Sequence, residues 1–112
     1  MLRTPADFAA LSAAPAVSTP LLGVRHRTIA APEAGATLRL GIATSRKIGN
    51  AVVRNRIRRR LKSIARELAP QVRPGAEILI GVRAAARTAT SAELRVALTE
   101  CLRRARLVEA SA

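Results

Sequence analysis

The feature that most restricts the fold is a basic segment at residues 46–66, which holds nine of the chain's twenty Lys and Arg residues and no acid. Its apolar residues recur at steps of four, four, three and four, which is the spacing of one helix face. They are Val53, Ile57, Leu61, Ile64 and Leu68. The pattern predicts a helix that buries one face in a core and presents cations on its other sides.

The sides of this helix that face away from the core carry almost only positive charge. At about 100° per residue, the side opposite the core is formed by Asn55, Arg59, Lys62 and Arg66. One flank carries Arg54 and Arg58, and the other flank carries Arg56 and Arg60. Like charges four residues apart destabilise a free helix by about 0.2–0.5 kcal/mol per pair, and a solvent-facing helix would normally intersperse Glu. Three cationic sides therefore favour a polyanionic partner, most simply a nucleic acid.

Composition agrees with this interpretation. A net charge of +13 and a pI near 12.0 give a salt-dependent attraction to phosphate. A hydrophobic content of 49% allows one modest core, so we expect residues 1–112 to form a single domain. Cys101 is the only cysteine, which excludes an internal disulfide and suits a reducing compartment. No apolar run approaches the roughly 18 residues of a membrane span. We expect a cytoplasmic protein without a membrane partner.

The rest of the chain predicts helices and strands around the basic helix. Thr4 and Pro5 begin a short helix that carries Phe8, and a loop is expected at 31–36. The basic helix should run from an Asn50 cap to about Ala69. Strands are expected at 21–29, 37–45 and 77–83, followed by a linker and by a last helix with a Thr90 and Glu93 capping box.

No residue set for a protein-only nuclease is visible. The seven acids are dispersed without a close pair that could hold metals, and His26, the only histidine, is more typical of a strand surface than of a general base. A small ribosomal-RNA-binding structural protein fits the same composition. A DNA-binding regulator is less favoured, because a recognition helix needs a preceding helix where residues 37–45 predict a strand.

Residues 47–61, KIGNAVVRNRIRRRL, resemble the signature of the bacterial ribonuclease P protein component. The Arg-Asn-Arg helix of that family follows a strand that ends in Ser and a basic pair, here Ser45, Arg46 and Lys47. Asp7-Phe8, the strand around Arg39, the strand from Ile78 to Arg83 and the C-terminal helix are similar to the family as well.

The resemblance implies an α+β fold, a two-layer α/β sandwich of order αβββαβα, with a first short strand near 16–20. It also implies a left-handed βαβ crossover through the basic helix, against the usual right-handed rule. The implied function is that of the protein subunit of ribonuclease P, an endoribonuclease whose catalytic centre lies in an RNA subunit, so no catalytic residue is expected in this chain. Mg²⁺ would be bound by the RNA–substrate complex and not by a protein site.

The implied partners are the catalytic RNA and precursor tRNA, with no small-molecule substrate. Residues expected to contact the catalytic RNA are Arg46, Lys47, Arg54, Asn55, Arg56, Arg58, Arg59, Arg60 and Lys62. Asn55 could equally bind a backbone carbonyl. The 5′ leader of the precursor would touch Phe8, Arg25 and Arg27, although Phe8 is equally suited to a core position. The family usually offers several aromatics to the leader and this chain has Phe8 alone, so the affinity for the leader would either be lower or rely on Arg stacking.

Overall fold

The computed structural model describes residues 14–28 and 38–108. Its strands and helices are β1 (Ala16–Ser18), β2 (Leu22–Thr28), β3 (Arg39–Ala43), α1 (Ala51–Leu68), β4 (Ala76–Val82) and α2 (Ser91–Arg104). The α+β class, the short first strand and the bounds of the basic helix are confirmed. The predicted first helix with Phe8 and the 31–36 loop lie outside the described residues.

The four strands form one mixed sheet in the order β1-β2-β4-β3. β4 lies in the middle, antiparallel to β2 and parallel to its other neighbour, β3. Since two parallel neighbours need a crossover connection, α1 is the helix of a β3-α1-β4 unit. The left hand of this crossover stays a prediction from the family resemblance.

The start of α1 is determined by the residues just before it. A single 3-10 turn at Arg46–Ile48 buries Ile48 in the core. Gly49 then adopts a φ of 149°, which side chains rarely allow, and a Cβ there would lie 3.1 Å from Val53 Cβ. The Asn50 side chain accepts a hydrogen bond from the Val53 amide at 3.0 Å, so the predicted N-cap is confirmed.

The core lies between the two helices and one face of the sheet, here called the inner face. β2 contributes Leu22 and Val24 to it, and the residues opposite them on β4 are Val82 and Ile80. From α1 the predicted residues Ile57, Leu61, Ile64 and Leu68 are buried and Val53 is partly buried. The helix-face prediction is therefore confirmed, with Ala65 as an additional buried position.

Both ends of α2 are satisfied by local hydrogen bonds. The capping box is present, with Thr90 Oγ1 accepting from the Glu93 amide at 3.1 Å and Glu93 accepting from the Thr90 amide at 3.0 Å. At the other end, the Leu107 amide donates to the Leu102 carbonyl and the Arg106 amide to the Arg103 carbonyl, which is a Schellman motif. The left-handed position of this motif is Arg106, with φ 60°.

Replacing Arg106 by Gly should stabilise the protein by about 1 kcal/mol, because an L side chain in the left-handed helical region costs roughly that much. Chemical denaturation would measure the change in the free energy of unfolding. The control is Arg104→Gly in the last residue of α2, which should destabilise by about 1–2 kcal/mol, because it lowers helix propensity and removes the hydrogen bond from Arg104 Nη1 to the Ser18 carbonyl. Equal destabilisation by both glycines would contradict the assignment of the strained position.

Candidate nucleic-acid interface

The first candidate surface is the cationic side of α1 with the turn before it. It is called the basic helix surface and consists of Arg46, Lys47, Arg54, Asn55, Arg56, Arg58, Arg59, Arg60 and Lys62. Arg54, Arg58 and Arg60 are half-buried and the other six residues are exposed. Because the apolar side of the helix is fixed in the core, the fold brings all nine predicted residues to one connected region of the surface.

The positive charge of this surface is not balanced by acids. Within residues 14–28 and 38–108, no Lys or Arg of the basic helix surface pairs with a carboxylate. The one acid of α1, Glu67, lies near the end of the helix and pairs with Arg95 of α2. The surface is therefore a strong local source of positive potential, which an RNA backbone would neutralise with release of counterions.

One flank of the helix has a structural task that the helix pattern alone does not reveal. Arg60 donates from Nη1 to the Ala89 carbonyl at 3.2 Å, and Arg56 reaches the Arg87 carbonyl at 3.5 Å, the limit of a hydrogen bond. Both acceptors belong to the connection between β4 and α2, where the expected linker contains a 3-10 turn at Ala84–Thr88. The flank of Arg56 and Arg60 therefore also contacts the connection between β4 and α2.

Two buried polar atoms near the start of the helix have no hydrogen-bond partner in the described structure. They are Arg54 Nε and Thr44 Oγ1. A buried donor without an acceptor is costly, and Arg54 is one of the residues predicted to contact RNA. Arg54 Nε is itself covered by protein, so an external acceptor would reach it only after a change of the side-chain conformation.

The second candidate surface is the outer face of the sheet, which points away from the two helices. The strand register aligns its residues in three rows across β2, β4 and β3. The rows are Gly23–Gly81–Ala43, Arg25–Leu79–Gly41 and Arg27–Glu77–Arg39. Four of the six residues in the first two rows are Gly or Ala, of which Gly41 is buried, whereas the third row is charged.

A trough of about 370 Å³ lies over the first two rows and extends to β1. Its cations are Arg25, whose Nη1 donates to the Ala14 carbonyl at 3.0 Å, and Arg83. The Arg83 guanidinium extends over Gly23, where an added Cβ would lie 3.6 Å from Arg83 Nη2. The trough thus combines a floor of small residues with two guanidinium groups.

Sequence reasoning missed Arg83 as a site residue. The signal was present, because Glu77, Leu79, Gly81 and Arg83 alternate along one strand and therefore share a face. The predicted leader residue Arg25 lines the trough, whereas Arg27 lies in the third row, hydrogen-bonded to Glu77. Phe8, the third predicted leader residue, lies outside the described part of the chain.

The described acids and the other potential metal-binding side chains are dispersed. No cluster of three His, Cys, Asp or Glu residues that could hold a metal occurs among the described residues. Cys101 is fully buried, and burial raises the pKa of its thiol, which disfavours a thiolate nucleophile. No helix in the same part of the chain is long and apolar enough to cross a membrane. The geometry suits binding of an extended polyanion.

The protein-family model of ribonuclease P matches residues 1–106. The chain belongs to the ribonuclease P protein family. The ribonuclease P protein component of Symbiobacterium thermophilum is 44% identical over 77 residues, covering 69% of this chain and 67% of that relative. That of a Mycobacterium species is 43% identical over 75 residues, covering 66% and 64%. The matches with these two relatives thus span about two thirds of each relative's length.

Solved structures agree with the family assignment. A mutant RNase P protein of Staphylococcus aureus superimposes with a TM-score of 0.83 at 25% identity, covering 95% of this chain and 87% of that one. This agreement confirms the predicted α+β fold. The chain is therefore a ribonuclease P protein subunit by family.

Exposed Arg59 and Arg60, which bonds the Ala89 carbonyl, should respond differently when their charge is removed. Arg59→Gln should lower the slope of log affinity for a folded RNA against log salt by about 1 without changing stability. Arg60→Gln should also reduce the free energy of unfolding by about 0.5–1.5 kcal/mol, because the Ala89 carbonyl loses its donor. Salt-dependent binding and urea denaturation measure the two effects. Equal stability losses in both variants would contradict the structural role of Arg60.

Proposed function

We propose that this chain binds the catalytic RNA of ribonuclease P through the basic helix surface and holds the 5′ leader of precursor tRNA on the outer face of its sheet. It would thereby assist removal of the leader to give the mature tRNA 5′ end, in the cytoplasm. The observation that carries the proposal is the anchored helix whose cations have no carboxylate partners in the described region. Family membership favours this partner over ribosomal RNA.

Binding of the catalytic RNA is supported by how the cations are held. A helix fixed in a core presents its guanidinium groups at set positions, so less side-chain freedom is lost on binding than from a disordered basic tail. Arg also offers a planar fork that matches phosphate oxygens.

Leader binding is supported by the trough. Its small residues let a nucleotide strand approach the sheet closely, and Arg25 and Arg83 supply charge and flat guanidinium faces for stacking. Stacking on aromatics is worth roughly 1–3 kcal/mol per base in single-strand binders, and no aromatic lines this trough. We therefore propose that the arginines supply most of the affinity for the leader here.

The described acids do not fit a dedicated Mg²⁺ site. Each is already engaged: Glu67, Glu77 and Glu100 pair with arginines, and Glu93 caps α2. Magnesium ligation prefers several oxygen donors in octahedral geometry, and these carboxylates are not grouped. We propose that the metal ions of the reaction are bound by RNA and substrate, while this chain lowers the repulsion between the two phosphate backbones.

Reconstitution tests the proposed function directly. Adding the protein to its cognate catalytic RNA at low Mg²⁺ should restore cleavage at the 5′ end of precursor tRNA, measured by the length of the products. A triple variant with Glu at Arg54, Arg56 and Arg58 should fold but lose this effect, and its RNA affinity should depend less on salt. No stimulation by the wild-type protein would favour the ribosomal-RNA-binding alternative.

The leader site is tested by substrate length. The wild-type holoenzyme should bind precursor tRNA more tightly than mature tRNA, because only the precursor reaches the trough. Arg25→Gln with Arg83→Gln should reduce this preference while leaving the affinity for mature tRNA unchanged. Arg87→Gln, an exposed arginine outside the trough, is the matched control. Equal binding of precursor and mature tRNA by the wild type would refute a leader site on this face.

A further inference from the structure

The third row of the outer sheet face contains a fully buried acid. Glu77, in the central strand β4, is 0% exposed, and it is the only buried charged residue among residues 14–28 and 38–108. Its two carboxylate oxygens accept from different strands: Oε1 from Arg27 Nε of β2 and Oε2 from Arg39 Nη1 of β3 at 2.6 Å. The register places the three residues directly opposite one another.

This arrangement is unexpected on a surface that binds nucleic acid. A carboxylate repels phosphate, and removing it would make the sheet face more positive. Burial of an ion is also expensive unless its hydrogen bonds are satisfied. Simple charge attraction therefore gives no reason for an acid at this position, and an apolar residue would complete the strand at lower cost.

We propose that Glu77 is a positioning residue for substrate binding, which holds the Arg27 and Arg39 guanidinium groups as a fixed pair for one phosphate of the bound strand. The inference rests on the proposed function, because it assigns the third row to the same leader site as the trough.

The geometry of the row supports a clamp. Arg27 and Arg39 lie on strands that flank β4, so their backbones are two strand spacings apart, roughly 10 Å. Each bonds one oxygen of the same carboxylate, which draws the two guanidinium groups toward each other. Their side chains remain 36% and 40% exposed although Glu77 is not exposed at all. Solvent therefore reaches the two cations and not the anion between them.

The third row is also continuous with the trough. Arg27 lies two residues beyond Arg25 on β2, and Glu77 lies two residues beyond Leu79 on β4. One step of two residues along a strand is about 6.6 Å. A strand of RNA that passes over the small residues of the first two rows would reach the arginine pair next, so the row extends the cationic path to the far end of the sheet.

Glu77→Gln separates positioning from simple charge, because the two effects have opposite signs. Loss of a negative charge alone should tighten binding of precursor tRNA. Loss of positioning should weaken it by about three- to tenfold, as expected when one charge-assisted phosphate contact is lost. The measurement is the dissociation constant of the holoenzyme for precursor tRNA with a long leader, beside that for mature tRNA.

Two controls make the result specific. Glu100→Gln changes net charge by the same amount on α2, where Glu100 pairs with Arg103, and should leave the preference for precursor unchanged. Arg39→Lys keeps the charge of the row but removes the planar fork, and should weaken precursor binding in the same direction as Glu77→Gln. Thermal unfolding of each variant shows that the protein compared is folded, and the Arg39 variant keeps the inference testable if Glu77→Gln does not fold.

The outcomes distinguish this inference from the proposed function. If the wild-type holoenzyme has no preference for precursor, the leader site itself fails. If the wild type has the preference and folded Glu77→Gln binds precursor equally or more tightly, only the positioning role is overturned. Weaker binding of precursor with unchanged binding of mature tRNA supports the role. In a variant in which Arg27 and Arg39 are both replaced by Gln, Glu77→Gln should then cause no further loss of affinity for precursor tRNA. An additional loss in that background would contradict action through the two arginines.

Discussion

The attachment of α1 to the core is the interaction on which the rest of the structure depends. A chain with a net charge of +13 resists compaction, and its densest group of cations lies on this one helix. Burial of Ile57, Leu61 and Ile64 holds the helix against the sheet despite that repulsion. The same burial fixes the basic segment as a helix, so stability and the proposed RNA binding depend on opposite sides of the same eighteen residues.

β4 has a comparable double role in the sheet. Its inner-face residues Ile78 and Ile80 complete the core between the helices, while Glu77, Leu79 and Gly81 point to the outer face. β4 pairs with β3 on one side and with β2 on the other, so each row across the sheet contains one residue from each of these three strands. The central position of β4 therefore determines both the packing of α1 and the order of the small and charged residues over which a leader would pass.

Much of this could be predicted from sequence because the signals were periodic or local. The spacing from Val53 to Leu68 gave the helix and its buried side, and Asn50 and the Thr90–Glu93 pair gave the helix starts. The hydrogen bond from Arg60 to the Ala89 carbonyl could not be predicted, because it joins residues 29 positions apart whose proximity depends on the fold. The same holds for the Arg27–Glu77–Arg39 row, which exists only once the strand order is known.

The distribution of the acids gives a physical reason for the two surfaces. Glu67 and Glu100 pair with arginines of α2, and Glu93 caps that helix. Glu77 lies between two arginines of the sheet. Within the described part of the chain, each negative charge is thus engaged by an arginine or by a helix start, and none balances the basic helix surface. At the Debye length of about 8 Å in physiological salt, compensation is local. The basic helix surface therefore keeps its full field, whereas two arginines of the sheet face are paired with Glu77. This difference suits the proposed division between a strongly attracting contact for a large RNA and a more selective contact for a single strand.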